Sequence, residues 1–345
     1  MALTQQVGYV EISSADKNYR VLKVSTSLPK FPTAIDGEAK IYEHLAKVNS
    51  PHSGQALIRE LYESFDLQRP DGRHRCLVLQ PMHMSLLEMM GLNPWPFDLP
   101  LLKMTVQRLL SALDFLHTEA GVIHADIKTD NLMLSIEDGE MLADFAKAEV
   151  DSPTPRKQVD QSRIIYKSRR LRRPDKLKGY GLPTLCDFGE SRIGAKQESN
   201  PFVQPHVYRA PEVMFDMPWG SAADIWNLAG LIWDLFEGEH LFGDVFDARG
   251  GHDPFKHFAL MVALIGEPPS EFVGRRETTG QCFDTDGIWI AHNEELIPLV
   301  SLGGLEKRLS GHEKQLLLKI MGSMLKWMPE ERKTAKQLLE DPWLL

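Results

Sequence analysis

The apolar rhythm of this 345-residue chain changes once, near Pro81, and that change limits the fold more than any other feature. Before it, apolar residues come in short runs. GYVEISSADKNYRVLKVST (8–26) reads as two strands around the polar turn SADKN, and HRCLVLQPM (74–82) as a buried strand stopped by proline. Between them, AIDGEAKIYEHLAKV (34–48) keeps Ile35, Ala39, Tyr42 and Leu45 on one side of a helix. After Pro81 the apolar spacing becomes three and four residues. LLKMTVQRLLSALDFLHTEA (101–120), SAADIWNLAGLIWDLFEG (221–238), FKHFALMVALIG (255–266), EKQLLLKIMGSMLKW (313–327) and TAKQLLEDPWLL (334–345) all read as helices. A small strand-rich part followed by a large helical part leaves a cleft between them, the favoured place for a ligand.

One stretch, 136–181, breaks the helical rhythm with EDGEM, EVDSPTPRKQVDQ and KSRRLRRPDKLKG. It predicts an inserted, mostly exposed loop. Its basic run, Lys167 to Lys178, reads first as a solvated face and second as a nuclear-localisation or partner patch. The net charge of −9 argues against a general nucleic-acid binder. No run approaches the roughly 18 apolar residues of a membrane span, and the first residues lack a secretory pattern. Three cysteines, Cys76, Cys186 and Cys282, are too few and too scattered for a disulfide framework or a zinc cluster. The expectation is a reducing compartment, cytoplasm or nucleus.

HADIKTDN (124–131) sits directly behind the apolar run LLSALDFLHTEAGVI. A histidine, two aspartates, a lysine and an asparagine next to a core are costly unless each has a partner. Downstream, LCDFGES (185–191) places Asp187-Phe188-Gly189 after a strand-like run. Together the two stretches match the catalytic loop and the metal-binding loop of protein kinases, and the chain resembles that family over nearly its whole length.

The resemblance implies an α+β, bilobal protein kinase-like fold. A small β-rich N-lobe, truncated at its start, would span 1–82, and a large α-helical C-lobe 83–345, carrying the insert. Phosphoryl transfer needs positioning, a base for the hydroxyl proton and cations over the phosphates. By resemblance Asp126 is the base, Lys128 neutralises the transferred group, and Asn131 and Asp187 hold Mg2+ through oxygen ligands. YRVLKV puts Lys23 at the lysine that reaches the phosphates of ATP, with Glu38 as its partner. Val10 and Val21 would cover the nucleotide and Met133 would lie beneath it. Leu79 would close the back of the adenine pocket, and Gln80 to Met82 would be the hinge offering backbone hydrogen bonds to adenine. Ala210-Pro211-Glu212 would end the activation segment, and Arg332 would pair with Glu212. Asp224, Trp226 and Gly230 would lie on the helix that anchors the catalytic loop. His124 is expected to support the loop from the core. Cys186 is expected to be an apolar filler, since nothing marks it as a reactive thiol.

QPHVYRAPEVMF and HDPFKHFALMVALIGEPPSEF resemble the group containing the cyclin-dependent and mitogen-activated kinases. IYEHLAKV, the run to LLEM at 89, and HADIKTDNLML resemble the SR-protein kinases in their fungal form. That implies ATP-dependent phosphorylation of serine or threonine on a basic, Arg-Ser-rich protein, by a monomer with no nucleic-acid or membrane partner.

Two departures qualify this. His124-Ala125-Asp126 stands where the family has His-Arg-Asp, whose arginine clamps a phosphorylated activation segment. The segment from Asp187 to Glu212 offers Ser191 and Ser199, and no phosphorylation switch is expected there. Before Val10 only Gly8 is available where the family has Gly-x-Gly-x-x-Gly. Either the chain is truncated there or the nucleotide lid is degenerate. A pseudokinase or scaffold is therefore the alternative reading. A small-molecule phosphotransferase of kinase-like fold is a third, opposed by Ala-Pro-Glu, the Asp224 helix and Arg332.

Overall fold

Four antiparallel strands, in the order β1-β2-β4-β3, form the first part of the molecule. They are β1 (Gln5–Ser13), β2 (Asn18–Ser25), β3 (Leu61–Arg69) and β4 (Gly72–Leu79), with helix α1 (Ala34–Leu45) between β2 and β3 in the chain. This computed structural model describes residues 5–13, 18–25, 34–70, 72–93, 95–159, 164–175, 179–198 and 203–345. The expected turn after β1 therefore lies largely outside the described residues. The spacing read from α1 holds: Ile35, Ala39, Tyr42 and Leu45 are buried. Buried with them are two acids, Asp36 and Glu38. In the sheet, Val21 pairs with Leu79 and Lys23 with Leu77, which sets Lys23 in the middle of the sheet.

The large part begins with α2 (Leu86–Leu92), started by a capping box in which Ser85 and Glu88 satisfy each other's backbone N–H. Then α3 (Leu99–Asp114) runs on through a π-helical turn, Phe115–Ala120. It stops at Gly121, whose φ of 61° is the left-handed conformation glycine tolerates best. Two short strands, β5 (Val122–Ile123) and β6 (Leu132–Leu134), flank the HADIKTDN loop.

The insert is not a loop. It contains α4 (Glu140–Asp151) and a hairpin of β7 (Arg156–Gln158) and β8 (Ile164–Tyr166). Met141 and Leu171 are buried. Its basic run is partly committed to acids within the insert: Arg172 pairs with Asp138 at 2.8 Å and Asp144 at 2.6 Å, and Arg169 with Glu149. The insert returns to the fold at β9 (Pro183–Leu185), which pairs with β6.

The centre of the large part is α6 (Ala222–Glu237), preceded by the short α5 (Pro211–Met214). Every residue of α6 from Ala223 to Phe236 is buried, as expected of a helix that is apolar nearly all round. At Gly230 a Cβ would come within 2.8 Å of the Tyr208 ring, so only glycine lets the segment before α5 pack that closely on α6. Arg332 meets Glu212 through two bonds of 2.7 Å, with both side chains removed from solvent. Helix α7 (Pro254–Ile265) and the helices Gly311–Met324 and Ala335–Leu339 complete the layer. The predicted helix over 334–345 is cut at Leu339 because Pro342 cannot continue it; Trp343 anchors the end in the core instead. One continuous cluster of buried apolar side chains runs from Val21 to Leu344 and joins both parts.

Candidate active site

The loop between β5 and β6 is hung from one carboxylate. Asp224, fully buried near the start of α6, accepts the backbone N–H of His124 at 2.8 Å and of Ala125 at 2.7 Å. His117 Nε2 approaches the same carboxylate at 2.9 Å. Ala125 sits at φ 65°, a conformation L-residues seldom adopt, and these two bonds hold it there. His124 is wholly buried, packed edge-on against Phe188. Its Nδ1 accepts the Asp126 N–H and its Nε2 faces the Cys186 carbonyl at 3.1 Å. That pattern fits a neutral ring with the proton on Nε2, a supporting group as predicted. Cys186 is buried, and burial pushes its thiol up to about 12, so it is the inert filler expected.

Around this anchor the polar residues converge. Asp126 Oδ2 accepts from Lys128 Nζ at 2.7 Å and from Asn131 Nδ2 at 2.7 Å. Asn131 Nδ2 also reaches the Asp126 carbonyl at 2.8 Å. From the sheet, Lys23 Nζ lies 2.7 Å from Glu38 Oε2 and 3.4 Å from Asp187 Oδ1. Lys23, Glu38, Asp126, Asp187 and Gly189 line one cavity of about 140 Å³ between the sheet and the helical part.

Electrostatics tie the set together. Burial works against the Lys23 ammonium, but the Glu38 and Asp187 carboxylates outweigh it and raise its pKa. Burial raises Glu38, against the pull of Lys23. Burial also opposes ionisation of Asp187, yet Lys23 and the Gly189 N–H hold it below the usual carboxylate range.

The other predicted positions do not line that cavity. Val21, Leu79 and Met82 are buried, and Gln80 and Met133 half-buried. Met133 bridges to Ser85 across the start of the helical part. Val10 lies on β1 opposite Arg20; its side chain is outside what the structure describes. Ser191 is buried and donates to the His124 carbonyl at 3.0 Å, which removes it as an exposed hydroxyl. Ser199 lies outside the described residues. Sequence reasoning missed Arg59, whose Nε donates to the Gln80 carbonyl at 2.9 Å. Its only signal was the charged pair Arg59-Glu60 set among the apolar residues of ALIREL.

The donor set suits a hard cation. Asn131 commits its amide nitrogen to Asp126, so its oxygen is what it can offer a metal; Asp187 offers a carboxylate. Among the described residues no group of three or more His, Cys, Asp or Glu could hold a metal alone. Magnesium takes one or two protein oxygens and completes its shell with water and phosphate.

The profile of the Protein kinase domain matches residues 22–168 and 176–344. This chain belongs to the protein kinase family. The kinase is 39% identical over 312 residues to a serine/threonine protein kinase of Aspergillus fumigatus, covering 90% of this chain and 75% of that protein. It is 26% identical to the serine/threonine-protein kinase SRPK of Physarum polycephalum, covering 94% and 79%. It is 24% identical to protein kinase dsk1 of Schizosaccharomyces pombe, covering 96% and 76%. The kinase is thus of the serine/threonine type and SRPK-like. The Asp224 anchor, the Lys23–Glu38 pair and the Glu212–Arg332 pair give the family match a structural counterpart in three separate places.

Proposed function

We propose that this kinase transfers the γ-phosphate of ATP to serine hydroxyls on basic, Arg-Ser-rich proteins. The observation that carries the transfer is the convergence of Lys23, Glu38, Asp126 and Asp187 on one cavity from four separate segments. Asp126 takes the proton of the incoming hydroxyl. Lys128, 2.7 Å from it, adds positive charge beside the transferred group. Asn131, bonded to Asp126 twice, fixes its orientation. Lys23 holds the phosphates of the nucleotide, with Glu38 setting its position. Asn131 and Asp187 would hold magnesium, which supplies charge over the phosphates when bound. Leu79, Gln80, Met82, Val21 and Met133 form the base end of the site.

The likeness to the Physarum SRPK and the net charge of −9 support an arginine-rich substrate. Arginine reads carboxylates through a planar fork that lysine lacks. The test compares an Arg-Ser repeat peptide with Lys-Ser and Ser-Pro peptides of equal length. The expected result is a kcat/KM at least about tenfold higher for Arg-Ser, because only arginine makes the bidentate pairing. Equal use of Arg-Ser and Lys-Ser would contradict the substrate class.

A further inference from the structure

We infer that Arg59 sets the base preference of the nucleotide site, weakening discrimination for adenine and admitting guanine nucleotides. This rests on the nucleotide reading of the cleft given above. Arg59 lies just before β3. Its backbone N–H donates to the Leu185 carbonyl at 2.8 Å, two residues before Asp187. Its Nε donates to the Gln80 carbonyl at 2.9 Å, directly after the buried Leu79. Gln80 is held at two further points, its N–H on the Glu60 carbonyl at 3.0 Å and its side-chain oxygen under the Glu60 N–H at 3.4 Å. The guanidinium is therefore fixed between the hinge and the strand leading to Asp187.

Arg59 is half-buried, and among the described residues no carboxylate lies within ion-pairing distance of it. Arg59 does not line the cavity beside Lys23 and Asp187; it meets the site through the Gln80 carbonyl. A planar cation with spare N–H donors there meets whatever edge of a base approaches the Gln80 carbonyl.

The two purines present opposite chemistry at that edge. Adenine carries an amino donor at C6; guanine carries a carbonyl acceptor there, next to the N7 acceptor. A hinge carbonyl already bonded to a cation is a poorer acceptor for the adenine amino group. The same guanidinium can donate to guanine O6 and N7, the pairing by which arginine reads guanine elsewhere. Valine or leucine at this position would remove both effects.

The experiment titrates wild type, Arg59→Val and Arg59→Lys with Mg-ATP and with Mg-GTP by calorimetry, with the melting temperature of each nucleotide-free protein as the folding control. Wild type is expected to bind the two nucleotides within about tenfold of each other. Arg59→Val is expected to shift the ratio toward ATP by about tenfold or more, the size of one bidentate arginine–guanine pairing. Arg59→Lys keeps the charge and loses the fork, so it should fall between; it decides the matter if Arg59→Val does not fold. A ratio unchanged in a folded variant, or a wild-type preference for ATP of about a hundredfold, would overturn the role of Arg59 alone. Binding of neither nucleotide by wild type would overturn the nucleotide site itself, and this inference with it.

Discussion

Lys23 and Glu38 form a salt bridge of 2.7 Å with side-chain exposures of 9% and 2%, although they stand 15 positions apart and on different elements, a strand and a helix. A pair this enclosed is sensitive to loss of one member, because the survivor stays buried and uncompensated. Asp187 at 3.4 Å gives Lys23 a second partner, so Glu38→Gln should cost the low end of the about 3–5 kcal/mol range for such pairs. Phosphotransfer should fall by roughly a hundredfold in Glu38→Gln and in Lys23→Met, since both disturb one positioning unit. The double variant should be little worse than the worse single one, because residues that act as a unit are not additive. Single-turnover assays on wild type and these variants check this. Additive losses would mean that the two side chains act separately.

The Glu212–Arg332 pair should govern stability rather than turnover. Both side chains are out of solvent, and the contact is bidentate. Arg332→Met leaves the Glu212 carboxylate buried without its cation and should cost about 3–5 kcal/mol. Adding Glu212→Gln should recover a large share of that. Urea denaturation midpoints of the two variants make the comparison.

Asp224→Asn should loosen the catalytic loop without touching nucleotide. The His124 N–H bonds Oδ2 and the Ala125 N–H bonds Oδ1, so the amide NH2 that replaces either oxygen sets a donor against a donor. One buried donor left unpaired costs about 1–3 kcal/mol, and Ala125 loses a bond that holds its φ of 65°. The expected outcome is a fall in kcat with KM for ATP nearly unchanged. An equal rise in KM would point to a wider collapse.

A histidine cluster should make the fold acid-sensitive. His206 stacks on His252 at 4.3 Å, and His252 Nε2 lies 3.1 Å from His257 Nδ1. Burial lowers His252 to about 4, with His206 and Arg209 adding to the effect. Burial also holds His257 well below the ordinary value, and lowers His206. In the unfolded chain all three titrate near the ordinary value of about 6.5. Between about 4 and 6.5 the unfolded state therefore binds more protons, so stability rises with pH there and is lost as pH falls. Denaturation midpoints across that window should decline toward acid, and less steeply in His252→Gln.

Much of the site was legible because its residues sit in short, chemically dense stretches. HADIKTDN and CDFG fixed Asp126, Lys128, Asn131 and Asp187, and YRVLKV fixed Lys23. Glu38 followed only from the family resemblance, which pairs it with Lys23. What escaped the sequence has physical causes. Strand β3 reads LYESFDLQR, and most of it is exposed at the edge of the sheet, so no buried run announces it. In the insert, α4 lies between EDGE and DSPTP, whose turn residues read as loop and hid the helix between them. Arg59 escaped because its role depends on a backbone carbonyl 21 residues away in the chain, and carbonyls leave no trace in composition.

Asp126 is the residue proposed to take the proton in phosphotransfer at this cleft. The most direct measurement is transfer of radiolabelled γ-phosphate from Mg-ATP to an Arg-Ser peptide by wild type and by Asp126→Asn, with ATP binding measured on both. Loss of a general base removes about a hundredfold or more of the rate, so the variant should bind ATP as wild type does and transfer at most about one-hundredth as fast. Equal transfer by the two proteins, above a no-enzyme blank, would contradict the account.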